Sequence, residues 1–191
     1  MTLEIRTAVA ADADRIATAH VAAWRVAYRG IVPDRYLDGD EFEQSRLAGW
    51  TTALTDGPDA DEDPLGQLLV PVLDGRVVGF GVFGWERVDT GTDATGRGEL
   101  YGFYLHPDVW GSGIADTLID RCHAGLAERF DEAVLWVLRE NARARRFYER
   151  SDWTCGVGDE IVETTWAGPQ MEGLDPLPEP LAELQYRISL R

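Results

Sequence analysis

"ELYGFYLHPDVWGSGIADTLID", residues 99–120, runs an aromatic, apolar strand pattern into a proline, then two glycines around a serine, then a helical pattern. Pro107 stops the strand, and Gly111 and Gly113 let the backbone approach a partner closely. Beyond them Ala115, Leu118, Ile119, Cys122 and Leu126 recur at helical spacing, which predicts a helix from about Ser112 to Arg129 with that face buried. Such a turn leaves the N–H groups of Gly111 to Ala115 unpaired at a helix start, where the positive dipole end attracts an anion such as a pyrophosphate. A plain strand-to-helix connection explains the same residues, and this stretch alone does not separate the two readings. Two other phosphate loops are excluded. A Walker loop needs a lysine after its last glycine, and the chain has no lysine. A dinucleotide fingerprint needs a third glycine at Asp116, and sits nearer the start of a chain.

Working outward, "LEIRTAV" (3–9) alternates as a first strand. Asp12 and Asp14 open a helix whose apolar positions are Ile16, Ala19, Ala23, Val26 and Ala27, ended by Gly30 and Pro33. A second helical region, broken near Gly39, runs to about Leu54 with Phe42, Leu47 and Trp50. "TDGPDADEDPLG" (55–66) reads as a solvated acidic loop. "QLLVPVLDGRVVGFGVFGW" (67–85) is two β-rich runs joined by Asp74-Gly75, a tight-hairpin signal, and 91–98 is a polar loop. Downstream, "AVLWVL" (133–138) is a short apolar strand suited to a sheet centre. "NARARRFYER" (141–150) is helical and "DWTCGVGDEIVETTW" (152–166) reads as a strand. A Pro/Gly-rich stretch (167–180) precedes the last strand, "ELQYRISL". Without repeats or linkers, the order predicts one domain over 1–191, an α/β fold with a mixed sheet and helices on its faces.

Composition narrows the partners. The formal charge is −16, and all 18 basic residues are arginine. That field repels nucleic acid and anionic membranes and favours a cationic partner such as an amine, although solubility or a salty cytoplasm explains it equally well. No run is long enough to span a bilayer and the N-terminus lacks a basic-then-apolar signal, so a cytoplasmic protein is the default expectation. Two cysteines, Cys122 and Cys155, make no disulfide framework. His20, His106 and His123 are scattered without a ligand set, so no metal is expected.

Two features accompany the glycine turn. Glu99 opens the strand that leads into it, and "NARARRFYERSDW" (141–153) follows the next strand, with Asn141, Ala144 and Tyr148 on one helix side. Singly, Asn141 suits a helix N-cap and Tyr148 a half-buried aromatic with its hydroxyl at the rim. Taken together, the two stretches resemble the acyl-CoA-binding motif and the following strand-helix motif of the GNAT superfamily of N-acetyltransferases. The close match covers about residues 98–153, and "EIRTAVAADADRIATAHVAAWRVAYRGIVP" is similar to the start of bacterial members.

The resemblance implies a mostly antiparallel mixed sheet whose two central parallel strands, 99–105 and 133–138, splay into a V, with helices on both faces. It places an acyl-CoA core at about 98–153 and acceptor-side elements at about 10–56 and 154–191. It implies that pantetheine pairs with the backbone of Phe103, Tyr104 and Leu105, the Leu105 N–H polarising the thioester carbonyl. Gly111, Ser112, Gly113, Ile114, Ala115 and Asp116 would hold the pyrophosphate, and Asn141 the pantetheine arm. Tyr148 would protonate the departing thiolate. Glu99 would take the amine proton, a position that equally fits a solvated strand-end charge. Two residues depart from the pattern. Trp110 replaces the usual Arg or Gln, and Asp116 sets a carboxylate beside phosphate, so affinity would lean on arginines such as Arg121 or Arg146. Trp24, Tyr28 and Trp85 would line the acceptor pocket or pack in the core. The expected activity is transfer of an acetyl group from acetyl-CoA to a primary amine, in a chain that forms a homodimer as many members do. The alternative is a non-catalytic acyl-CoA-binding or regulatory module.

Overall fold

A computed structural model describes residues 1–55, 67–87, 96–156, 161–167, 177 and 179–191. Most of the acidic loop, most of the polar loop at 91–98 and most of the Pro/Gly-rich stretch lie outside these residues. In chain order the elements are β1 (Leu3–Thr7), α1 (Ala13–Ala27), α2 (Asp34–Leu37), α3 (Asp40–Thr55), β2 (Leu68–Leu73), β3 (Arg76–Val77) and β4 (Gly79–Trp85). There follow β5 (Gly98–Leu105), α4 (Ile114–Ala127), β6 (Glu132–Leu138), α5 (Ala142–Arg150), β7 (Thr154–Cys155), β8 (Glu163–Trp166) and β9 (Leu181–Ser189). One sheet takes all the strands in the order β1-β2-β4-β5-β6-β9-β7, with β3 on β2 and β8 on β9. Among these pairs only β5–β6 is parallel.

Asp74 and Gly75 both take positive φ, 47° and 82°, as a primed hairpin turn requires. The run after them splits into two strands because Pro71 opposes it. Val78 donates its N–H to the Pro71 carbonyl at 3.0 Å, and the proline has no N–H to return. The register slips one residue there, from Val72↔Val77 to Leu69↔Gly81. Of the expected strand over 152–166, the described residues form two short strands, β7 and β8, with Gly156 at φ 80° just after the first; residues 157–160 lie outside the described residues.

The helices divide between the sheet faces. On one face α4 buries Ile114, Leu118, Ile119, Cys122 and Leu126 against Phe83, Leu100 and Leu105. On the other, α1 and α3 pack Ile16 and Trp50 against Val70, Phe80 and Val82. Two expectations about helix faces are corrected. Val26 is 52% exposed, because His20 and Trp24 occupy the buried face of α1 and turn its axis of burial away. Ala115 is only partly buried and lines a cleft, Ile114 taking its place in the core.

Close helix-to-sheet contact rests on glycine. A methyl group on Gly81 would stand 2.6 Å from the Sγ of Cys122, itself fully buried. Gly81→Ala is therefore expected to lose about 1–3 kcal/mol by overpacking. Gly49→Ala, where nothing lies within 4 Å on the exposed face of α3, is expected to gain up to about 1 kcal/mol. Urea unfolding of both variants checks the contrast.

Candidate functional site

β5 and β6 pair only through Gly98↔Ala133 and Glu99↔Val134. Past those residues the parallel strands find no partner in each other, and a cleft of about 1290 Å³ opens between them. That exceeds the roughly 300–1,000 Å³ usual for one small ligand, enough for an elongated molecule and a second reactant.

The free edge of β5 is fixed by the alternation of its ladder with β4. The His106 N–H bonds the Val78 carbonyl at 2.8 Å, so Tyr104, two residues back, also turns its backbone groups to β4. Phe103 and Leu105 turn theirs to the cleft. The Leu105 carbonyl accepts the Trp110 indole N–H at 2.8 Å, which leaves the Leu105 N–H as the uncommitted donor at that point. Side chains alternate too. Phe103 stacks on Phe147 of α5 at 5.4 Å on the α4 face, whereas Tyr104 packs against His20 and Trp24 on the α1 face. One irregularity reorders the rest of the strand: Val82 pairs with Gly102 but Phe83 with Leu100, leaving Tyr101 extra. The bulge brings Glu99 and Tyr101 onto the same face as Tyr104.

At the glycine turn, Gly111 and Gly113 have φ of 77° and 85°, and Gly113 caps α4 in the left-handed conformation. The Ser112 N–H is spent on the Val109 carbonyl at 3.3 Å and the Thr117 N–H on Gly113 at 3.2 Å. The N–H groups of Gly111, Gly113, Ile114, Ala115 and Asp116 have no backbone acceptor among the described residues. Gly111, Gly113, Ala115 and Asp116 line the cleft; Ser112 is exposed outside it and the Ile114 side chain is in the core. Three arginines of α5, Arg143, Arg146 and Arg150, line the same end. Arg143 lies 3.3 Å over the Trp110 ring, so the tryptophan that departs from the family pattern carries a cation beside the turn. Arg121 is exposed on α4 and outside the cleft. The open space over both glycines, the free amides and these arginines fit a diphosphate group.

Asn141 accepts the Ala144 N–H at 3.1 Å as the N-cap of α5, and the nitrogen of its amide has no hydrogen bond to a described residue. Tyr148, 9% exposed, lines the cleft with its hydroxyl likewise free of described partners. Burial raises the Tyr148 pKa well above that of an ordinary phenol, and the nearby Tyr104 and Cys122 add to the shift, so the group stays protonated.

The other end of the cleft is aromatic and charged. The Tyr28 and Tyr104 hydroxyls meet at 3.3 Å, and burial raises both pKa values. Trp24 lines the cleft, but Trp85 packs on Phe130 away from it. Glu99, 2% exposed, accepts from Arg87 through the backbone N–H at 2.8 Å, Nη2 at 2.5 Å and Nε at 3.2 Å. Arg46 has its Nε buried without a partner among the described residues, and burial lowers its pKa. Glu183 enters from β9, opposite Leu138 of β6 and Thr164 of β8. In all, five arginines and three carboxylates line a cleft that is basic inside an acidic chain. Arg46, Arg87, Arg143, Arg150 and Glu183 escaped the sequence reading. The three α5 arginines repeat at helical spacing and were open to it; the others depend on strand register. Among the described residues no cluster of His, Cys, Asp and Glu is placed to hold a metal ion.

Comparison with known proteins agrees with this geometry. The acetyltransferase (GNAT) family matches residues 23–153. An uncharacterized N-acetyltransferase of Bacillus subtilis, YuaI, is 30% identical over 142 residues, covering 72% of each chain. PaiA N-acetyltransferase of Thermoplasma acidophilum, solved with coenzyme A, superposes with a TM-score of 0.71 at 16% identity over 99% of both chains. YncA of Salmonella typhimurium, a putative acetyltransferase solved with acetyl-CoA, gives 0.66 at 19% identity over 100% of this chain and 95% of its own. A mixed sheet with one splayed parallel pair and flanking helices is the GNAT fold. The chain belongs to the GNAT acetyltransferase family.

Proposed function

We propose that this chain transfers an acetyl group from acetyl-CoA to a primary amine of a small molecule or peptide. The observation that carries the reading is a free strand edge leading into an amide-lined turn, with a phenol that bonds no described residue facing the same cleft. The amides of Gly111, Gly113, Ala115 and Asp116 receive the pyrophosphate, and Arg143 and Arg146 offset the Asp116 charge. Phe103 and Leu105 offer backbone groups to pantetheine, and Asn141 offers its amide nitrogen. The Leu105 N–H is a preorganised donor for the oxyanion that forms when the amine attacks the thioester carbonyl. Tyr148 then supplies a proton to the departing thiolate. The acceptor enters from the end lined by Trp24, Tyr28, Arg87 and Glu99, drawn as an ammonium by the negative field of the whole chain.

Calorimetry with acetyl-CoA, run beside a thiol-release assay over an amine panel, tests the reading. Binding with release is the expected result; binding without release on any amine would favour the non-catalytic module, for which Trp110 and Asp116, the two departures from the family pattern, leave room. Arg143→Ala is expected to weaken acetyl-CoA binding about tenfold, the loss of roughly 1.4 kcal/mol, while Arg121→Ala leaves it unchanged. The same calorimetric titration measures both.

A further inference from the structure

We propose that Glu183 of β9, rather than Glu99, is the carboxylate that takes the proton from the acceptor ammonium. This rests on the acetyltransferase reading. Three carboxylates line the cleft. Asp116 stands at the phosphate-binding turn, on the first turn of α4 and away from any amine. Glu99 is enclosed, and both of its oxygens already accept hydrogen bonds from Arg87, so its acceptor sites are occupied before any amine arrives. Glu183 is different: it is partly exposed, lines the cleft, and makes no side-chain hydrogen bond or ion pair with a described residue.

The register places it correctly for the task. Leu184, Tyr186 and Ile188 of β9 point into the core under α4, so Glu183 stands on the opposite face, with Leu138 and Leu181. That is the face to which the Tyr101 bulge delivers Glu99. The charged and titratable groups around Glu183 are Glu99 of β5, Arg87 beyond β4, and the hydroxyls of Tyr28 on α1 and Tyr104 on β5. From β8, Thr164 shares its register position, while Glu163 is paired with Arg139 one position along. Burial raises the Glu183 pKa above the usual carboxylate range; Arg87 pulls it down and the Glu99 charge pushes it up. A carboxylate with a raised pKa is a stronger base than an ordinary one.

The step balances. An ammonium N–H proton passes to the Glu183 carboxylate, and the freed nitrogen lone pair bonds the thioester carbonyl carbon while the C=O electrons move to oxygen. Collapse breaks the C–S bond, the thiolate takes the Tyr148 phenolic proton, and the second nitrogen proton restores the phenol. Glu183 returns its proton to water through the open cleft.

The test is the pH dependence of kcat/KM for n-butylamine, benzylamine and 1,4-diaminobutane in wild type, Glu183→Gln and Glu99→Gln. Alongside it, acetyl-CoA affinity is measured by calorimetry, and glutamate carboxyls are titrated by carbon-13 NMR. Glu183→Gln is expected to lower kcat/KM about 10²-fold near neutrality and to erase the acid-side limb, with acetyl-CoA affinity unchanged. It should also remove a carboxyl signal that titrates above the ordinary range. Glu99→Gln should keep the limb and move it to lower pH, since a negative neighbour is gone. An active wild type with an unaltered Glu183→Gln profile, or a Glu99→Gln variant that loses the limb, overturns the base assignment alone. So does an NMR signal for Glu183 in the ordinary range. A wild type that binds acetyl-CoA and acetylates none of the three amines overturns the enzymatic reading and this assignment together.

Discussion

Tyr148→Phe is expected to lower kcat by about 10²-fold while acetyl-CoA affinity changes little. The ring is held by packing, not by its oxygen: it meets Phe147, Trp153 and Tyr186 in edge or tilted contacts, and its hydroxyl bonds no described residue. Removing that oxygen therefore leaves the core and the cleft wall in place, with only the proton donor lost. The raised phenol pKa gives the direction of any pH effect. The wild-type group remains protonated across the working range, so the variant's loss should be uniform below the alkaline limit rather than confined to one limb. Single-turnover thiol release with saturating acetyl-CoA, together with calorimetry, separates the two parameters. A variant that turns over at the wild-type rate removes Tyr148 as the acid.

Acid should unfold this protein through a histidine that never meets the substrate. His20 is 7% exposed and surrounded by Trp24, Trp50, Phe80 and Tyr104, and its Nδ1 accepts the Trp50 indole N–H at 3.1 Å. Burial, with the Arg46 charge second, pushes its pKa down to about 3 from 6.5. The unfolded chain therefore binds a proton that the folded chain refuses. Stability is intact above about pH 6.5 and falls as pH drops toward the folded value, reaching a loss of roughly 3 kcal/mol from this ring near pH 4.5. Against a total of about 5–15 kcal/mol this is a large share. His123, which accepts the Trp153 indole N–H at 2.9 Å and is also lowered by burial, adds in the same direction. Urea midpoints at a series of pH values measure the slope, which His20→Gln should flatten while costing stability at neutrality. A slope that His20→Gln leaves unchanged would assign the acid loss to the carboxylates.

What the sequence made readable was local. The stop at Pro107, the paired glycines, the helical run behind them and the Asp74-Gly75 hairpin each depend on a few adjacent residues, and each stands where the pattern puts it. The splayed parallel pair was implied by resemblance rather than by spacing, and the register of β5 and β6 bears it out. Long-range pairing was beyond reach. Nothing near Glu99 announces that Arg87, 12 residues earlier, fills both its oxygens, and nothing near Glu183 announces that its face is the cleft. A single extra residue, Tyr101, sets which side chains share a face, and a bulge leaves no mark in periodicity until the partner strand is known. The same limit made Val26 read as core.

Every cation lining the cleft is a guanidinium, and the chain carries no ε-amino group anywhere. Guanidiniums stay protonated at any physiological pH and do not attack thioesters. A catalyst built this way cannot spend its donor by acetylating lysines of its own, either at the bench or in the cell. Peptide mapping after prolonged incubation with the donor should thus find no acetylated side-chain amine in these 191 residues, and amine-directed dyes or cross-linkers will find no lysine there to attach to.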